Sequence, residues 1–385
     1  MIKRLAALKE PIKIGIIGCG AMGKGLFYQS LITPGIKCVG IADIDVGKIH
    51  EAIAELRPES GKPAVYEGGG SLAAAENIDV LIEASDSILP AGEFARTALK
   101  SGKHVIMMNA EADLAFGPEL LALADANGAV YTSADGDQPA VISHLIRELK
   151  TWGLELVMAG NIKGFLDREA TPAGIKSEAD KRGLSAHMCC AMTDGTKLNI
   201  EMALLANAFD LRTARPGMMG PRAGKVAEVF KLFDLDKVRA SGRPVVDFVL
   251  GAEPDGGVFV VGHCQDPYQT RMLKYYKMGD GPYYLFYRPY HLCHIETMLT
   301  VARAVLDKQG ILHPDYGHKT NVYAYAKKEL KAGESLDGIG GCTCYGLIEN
   351  VDSGNDGIPI ALSRGLKLKH DIKKGRKIKS SEVNT

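Results

Sequence analysis

The order of apolar runs and helix-length stretches predicts an α/β chain: a parallel sheet wrapped by helices, then an α+β region, then a small all-β module. Three observations carry that expectation. The first third alternates short apolar runs with amphipathic segments, the pattern becomes mixed beyond Asp135, and an internal repeat occupies the last sixty or so residues.

Lys3, Arg4, Lys9 and Glu10 mark the opening residues as a short surface helix. The apolar runs 12–17, 38–42, 80–83, 105–108 and 129–132 follow, separated by 22–32, 46–56, 90–100 and 114–127. Runs of four to six residues with little alternation are strands buried on both faces, and strand-helix-strand order makes them parallel. Gly102 and Gly128 sit where helices must stop before the next strand. Beyond Asp135, segments 139–150 and 198–209 read as helices, 154–159, 245–250 and 257–261 as strands, and 289–306 as a long helix. The expected division is 1–135 for the parallel-sheet domain, 136–325 for the α+β domain, and 326–385 for the closing module.

Lys plus Arg and Asp plus Glu balance at 46 each, which excludes a general attraction to nucleic acid or anionic membrane. No apolar run approaches the ~18 residues of a membrane span, and the start lacks a signal-peptide core, so a cytoplasmic protein is expected. Eight cysteines in 385 residues are not a disulfide scaffold. Cys189-Cys190 and Cys342-x-Cys344 lack a partner pair at zinc-site spacing, so no metal is expected.

The first strand ends in Gly18-Cys19-Gly20-Ala21-Met22-Gly23, a G-x-G-x-x-G that opens a helix. Gly18 makes the tight turn, Gly20 leaves room for a pyrophosphate, and Gly23 lets helix and strand pack closely. Ala21 and Met22 begin a helix whose free N–H groups face the phosphates. This is a Rossmann dinucleotide site. Asp43 ends the next strand, 20 residues past Gly23, where a carboxylate holds ribose hydroxyls and repels a 2′-phosphate. The cofactor is NAD or NADP, and Asp43 favours NAD. Helix capping is the alternative for Asp43. Ser85, Asn109 and Glu111 lie at further strand ends, where ligands bind in open sheets; capping is the competing role for Ser85 and for Asp113.

Near the carboxyl end, residues 328–336 match 370–378: each has an acidic-apolar-Lys-x-Gly core with an aliphatic residue three places on. A strand, a glycine turn and a second strand are expected in each copy, with separators at 338–341 and 353–357. This part resembles the SAF, or β-clip, domain.

The chain as a whole resembles homoserine-dehydrogenase-like oxidoreductases that carry such a module. The residues are the glycine fingerprint, Asn109-Ala110-Glu111-Ala112-Asp113, Gly136-Asp137-Gln138-Pro139, Asp194-Gly195-Thr196-Lys197, and Tyr290-His291-Leu292 with Ile295-Glu296. The group includes the deoxyxylulose-phosphate reductoisomerase-like enzymes. Homoserine dehydrogenases place Asn-Lys after the fifth strand; here Ala110 and Glu111 follow Asn109, which sets homoserine itself apart as a substrate.

The resemblance implies hydride transfer between a nicotinamide and a small polar hydroxy or oxo compound. Lys197 is the first candidate for the acid-base or oxyanion role, with Asp194 expected to hold its ammonium from the same helix face. Lys163, expected just past a strand and a Gly160-Asn161 turn, is the second cation, suited to a carboxylate or phosphate. Asp137 and Gln138, at a helix start before Pro139, are substrate-binding candidates or N-caps. Arg288 can clamp an anion; His291, with His294 on one predicted helix and Glu296 close by, can donate to a phosphate or hold a divalent metal, an interhelical hydrogen bond being the simpler alternative. Tyr275, Tyr276, Tyr283, Tyr284, Phe286 and Tyr287 are expected in core and interface packing.

Two alternatives stand beside the dehydrogenase. One is a sugar-phosphate reductoisomerase, which requires a divalent metal; the other is a dinucleotide-sensing protein without catalysis. A small-molecule substrate and a homo-oligomer are the expected partners.

Overall fold

The computed structural model describes residues 1–59, 61–351 and 354–384. They form two compact units, Met1–Asp137 with Leu292–Pro314, and Gln138–His291 with Asp315–Thr385. The first unit is discontinuous in sequence, because the chain returns to it at Leu292.

After α1 (Ile2–Ala6), the first unit builds six parallel strands: β1 (Ile12–Ile17), β2 (Ile36–Asp43), β3 (Ala64–Glu67), β4 (Val80–Glu83), β5 (His104–Met107) and β6 (Tyr131–Ser133). Their order is β3-β2-β1-β4-β5-β6. The helices between them are α2 (Ala21–Ile32), α3 (Val46–Leu56), α4 (Gly69–Ala74), α5 (Leu89–Lys100) and α6 (Ala110–Ala126). Ile14, Ile16, Val80 and Ile82 pack with Leu26 and Phe27 on one face, while Ile17, Leu81, Val105 and Met107 pack with Ala95 and Leu120 on the other. Burial on both faces explains the unalternating strands; each such side chain contributes about 1.5–3 kcal/mol.

β3 and α4 escape sequence reasoning, since β3 is an edge strand with largely exposed residues. α6 starts four residues before the predicted 114 because the Asn109 side chain caps it, accepting the Ala112 N–H at 3.0 Å.

The second unit holds α7 (Gln138–Thr151), β7 (Glu155–Lys163), α8 (Pro172–Arg182), α9 (Ala186–Thr193), α10 (Thr196–Phe209), α11 (Val229–Leu232), α12 (Leu235–Ala240), β8 (Val245–Leu250), β9 (Val258–His263), α13 (Pro267–Tyr275) and β10 (Tyr283–Arg288). The four strands form a mixed sheet, β10-β9-β7-β8, with only the β7–β8 pair parallel. The Gly160-Asn161 turn expected before Lys163 does not exist. β7 runs unbroken to Lys163, and Gly160 lies within it because a Cβ there would meet the Asp247 carbonyl at 2.4 Å and the Phe259 ring. Met158 and Ile162 pack with Val229, Phe233 and Val261. Asn161 and Lys163 alternate to the opposite face.

The predicted helix at 289–306 begins later, as α14 (Cys293–Leu306), after β10 has ended at Arg288. His291 therefore precedes the helix and shares no face with His294. α14 belongs to the first unit, where Met298, Val301 and Ala302 join the core around Leu26 and Phe27, and the His294 ring lies against Gly25. Of the aromatic cluster, Tyr284 is fully buried, but Tyr275 and Tyr276 are 73% and 66% exposed. β10 is an edge strand and α13 buries none of its residues, so this side offers no core to fill.

The chain closes with β11 (Thr320–Ala326), β12 (Cys344–Asn350), β13 (Lys367–Leu368) and β14 (Val383–Asn384). The repeat is real, but its copies do not fold as separate hairpins. They clasp each other: Leu330 and Ile372 exchange both backbone hydrogen bonds at 2.9 Å. Gly333 N–H donates to the Leu368 carbonyl, and Gly375 N–H repeats this on Ala326. Leu336 on Leu366 matches Ile378 on Ala324. These bonds interchange under a shift of 42 residues, so a local two-fold axis relates the copies. Gly333 and Gly375 make the two turns at φ +81° and +76°. Of the predicted separators, Ser353 lies outside the described residues.

Candidate functional site

In the first unit the glycine fingerprint has three distinct environments. Gly18 turns at φ +92°, and a Cβ there would strike the Ala84 carbonyl at 2.7 Å. At Gly23 a Cβ would fall 1.7 Å from the Gly18 carbonyl oxygen, so turn and helix are in direct contact. Around Gly20 a Cβ would meet nothing within 4 Å. Gly20 is the N-cap of α2 and supplies no side-chain cap, so the opening N–H groups at Ala21 and Met22 are offered outward at the positive end of the helix.

Asp43 stands beside this cradle. Its Oδ2 accepts the Cys19 N–H at 2.7 Å, and its Oδ1 accepts the Asp45 N–H at 2.9 Å. The capping role considered for Asp43 belongs to Asp45, which accepts the Gly47 N–H at the start of α3. Asp43 thus braces the glycine turn with its carboxylate.

At the next strand ends a polar cluster gathers around Glu83, which is fully buried at the end of β4. The Ser85 hydroxyl bonds to its Oε1 and shares a 2.8 Å hydrogen bond with the Ser87 hydroxyl. Asn109 donates to the Ser87 carbonyl at 2.8 Å. Burial pushes the Glu83 carboxyl up to about 8 against the pull of Ser85 and Asn109, so it is largely protonated at neutral pH. Ser85 is accordingly a partner of Glu83 rather than a cap. Glu111 is buried on the first turn of α6. Asp113 lies inside α6, bonded to Tyr131 at 2.7 Å and Ser133 at 2.6 Å. Asp137 ends the first segment of this unit, with its Oδ1 3.8 Å from the Cys293 sulfur.

The second unit assembles a different set. Lys163 ends β7, half-buried, and faces Glu201, Asp194, Lys197 and Arg182. Burial pulls its ammonium below the ordinary lysine value; the two carboxylates oppose that pull, and Lys197 and Arg182 reinforce it. Lys197 lies on the first turn of α10, its Nζ 3.7 Å from Glu201 one turn later. The expected Asp194–Lys197 bond is not formed. Asp194 precedes α10, and its Oδ2 instead accepts from Lys327 Nζ at 2.8 Å, while its Oδ1 accepts the Thr196 N–H. On the β7 face that carries Lys163, Asn161 donates to the Gln138 side-chain oxygen, and the Gln138 amide lies 3.3 Å from His291 Nε2. Arg288 stacks over the Tyr290 ring at 4.4 Å.

Two family models match this chain. Residues 18–133 match the homoserine dehydrogenase NAD-binding domain, and residues 136–297 match the catalytic domain of oxidoreductase DRL. The chain therefore carries an NAD-binding domain of the homoserine dehydrogenase type followed by a DRL-type oxidoreductase catalytic domain. No curated protein matches it.

Among solved structures, a probable dehydrogenase from Thermotoga maritima is similar at 12% identity over 77% of this chain and 90% of that one, with a TM-score of 0.49. A myo-inositol dehydrogenase from Lactobacillus casei is similar at 18% identity over 66% and 72%, TM-score 0.41. For a biliverdin reductase from Synechocystis the identity is 18% over 42% of this chain, TM-score 0.33, and the match spans about half that protein's length (49%).

The candidate residues thus divide between the two units. Gly18, Gly20, Ala21, Met22, Gly23 and Asp43 form one cradle in the NAD-binding domain, with Ser85, Asn109 and Glu111 at neighbouring strand ends. Lys163, Asp194 and Lys197 meet in the catalytic domain, while Gln138 and His291 share a bonded chain with Asn161. Sequence reasoning missed Glu201 and Lys327, took Asn161 as a turn residue, and chose Ser85 over Glu83 at the same strand end. A charge inside a four-residue apolar strand signals Glu83, and i,i+4 spacing from Lys197 signals Glu201. Lys327 is remote in sequence from everything it touches except Gly341 and Thr343.

Proposed function

We propose that this protein transfers a hydride between NAD(H) or NADP(H) and a small, polar, anionic hydroxy or oxo compound. The observation that carries the reading is the cluster of half-buried Lys163 and Lys197 with buried Glu201, on a catalytic domain that follows a dinucleotide cradle. When bound, the nicotinamide supplies the hydride chemistry. Lys197 is the acid-base group at the substrate oxygen, held by Glu201. Lys163, whose proton burial loosens, shares the proton handling and attracts a carboxylate or phosphate. Gln138 and His291, bonded with Asn161 into one chain, orient the polar end of the substrate, and Arg288 assists. In the cradle, Asp43 favours NAD. Residues 326–385 act as a SAF-type module, and the protein works in the cytoplasm as a homo-oligomer.

The test is a screen of hydroxy acids, polyols and sugar phosphates against both nicotinamides, followed at the absorbance of the reduced cofactor. A substrate should emerge, and Lys197→Ala should lower kcat by roughly 10²–10⁴-fold, the usual weight of an acid-base group, while cofactor affinity holds. A Lys197→Ala protein as active as the parent would end this assignment. The cations at Lys163, Lys197 and Arg182 also suit the second reading, a sugar-phosphate reductoisomerase. Turnover of a sugar phosphate that stops on chelation and returns with a divalent metal would favour that reading. Binding of nicotinamide without turnover of any compound would favour the sensing protein.

A further inference from the structure

α10 is almost wholly buried, yet one of its faces is polar: Thr196, Asn199 and Asn207 recur at helical spacing. The closing strands and their approach use every one of these groups. Gly346 N–H donates to Thr196 Oγ1 and Ile348 N–H to Asn199 Oδ1, both at 2.9 Å. Asn207 Oδ1 accepts the N–H groups of Lys319 and Thr320, each at 2.8 Å. Lys327 completes the seam from just past β11. Its Nζ donates to Asp194 Oδ2, the Ala170 carbonyl and the Gly341 carbonyl, all at 2.8 Å, the full donor set of an ammonium. Lys327 and Asp194 are 3% and 0% exposed at their side chains.

A pair so buried stabilises only weakly, because desolvation offsets most of the attraction. Its consequence is local electrostatics. Asp194 is one of the two carboxylates facing Lys163, and an uncompensated carboxylate there would hold the Lys163 proton more tightly.

We propose that Lys327 is a positioning residue of the catalytic cluster: by pairing with Asp194 and anchoring the start of α10, it sets Lys197 and Glu201 against Lys163. This rests on reading Lys163 and Lys197 as the proton-handling groups. It also gives the closing module a role in catalysis, since that module supplies both the cation and the strands that grip α10. The groups facing Lys163 are Glu201 and Lys197 on α10, Asp194 before it, and Arg182 on α8.

The experiment needs no substrate. The pH dependence of Lys163 acetylation by isotope-coded acetic anhydride, read by mass spectrometry, reports the fraction of free amine. In Lys327→Met, Asp194 loses its counter-charge and the Lys163 midpoint should move up by about half a pH unit or more. In Asp194→Asn the carboxylate is gone and the midpoint should move down by a similar amount. A purely structural role predicts no such opposite signs. Both midpoints unmoved, or moved in the same direction, would overturn the proposal. If Lys327→Met does not fold, Asp194→Asn decides the sign alone. Where a substrate is in hand, kcat of folded Lys327→Met should fall about tenfold, as for a misplaced catalytic group, with cofactor Kd unchanged. A shift in labelling without any turnover would leave the positioning role standing and remove only the oxidoreductase reading.

Discussion

Gly20 and Gly23 carry the same side chain for opposite reasons, and substitution separates them. Gly23 has the Gly18 carbonyl where its Cβ would be, so Gly23→Ala should cost roughly 1–3 kcal/mol or more through overpacking and displace the turn. Gly20 has open space there, so Gly20→Ala should keep the melting temperature within a few degrees while weakening nicotinamide dinucleotide binding about tenfold or more. Calorimetric titration beside a thermal melt reads both quantities; equal effects at the two positions would contradict the assigned roles. Glu83 gives a pH signature. Its carboxyl is raised to about 8 in the folded chain from an ordinary value of 4.5, so between those values the native state binds the extra proton. Stability therefore declines as pH rises from about 4.5 to 8, by an amount on the order of a few kcal/mol. Glu83→Gln, which keeps the shape and cannot ionise, should melt higher than the parent at pH 8 and no higher at pH 4.

At the scale of elements, α10 shows how a helix can be buried all round and still be polar. Asn207 Oδ1 serves two backbone N–H groups of β11 and its approach, and Thr320 Oγ1 lies 3.2 Å away. Asn207→Ala would strand those donors, and a stranded buried donor costs about 1–3 kcal/mol. Urea unfolding should therefore show a loss of about 3 kcal/mol, well above the ~1 kcal/mol expected for an average substitution. The ends of elements were less legible than their existence. α6 starts early because Asn109 caps it, β7 runs late because Gly160 gives way to Phe259, and α14 starts late because β10 extends to Arg288. The first and last turn on close neighbours whose competing roles the pattern left open, and only the β7 case depends on a partner distant in sequence.

Across the whole molecule, the return of the chain at Leu292–Pro314 is what a contiguous reading cannot supply. Residues 1–137 contain every strand of the first sheet, yet Met298, Val301 and Ala302 sit in their core. Removing those three exposes apolar surface worth roughly 5 kcal/mol, comparable with the stability of a whole domain. A fragment of residues 1–137 should unfold without cooperativity, and joining residues 292–314 to it by a flexible linker should restore a sharp melt and dinucleotide binding. A cooperative, binding-competent 1–137 fragment would show that α14 is dispensable. No helix among the described residues is long and apolar enough to cross a membrane.

The sequence alone determined what local chemistry dictates: the doubly buried parallel strands, the glycine cradle and the turn glycines of the repeat. Period, run length and the need for a missing Cβ are properties of neighbours along the chain. Only the tertiary structure decided partners: Lys327 rather than Lys197 for Asp194, one repeat copy for the other, and α14 for the first sheet. Charge and apolar surface find their complement by proximity in space, and a separation of 133 residues between Asp194 and Lys327 leaves no trace in the local pattern.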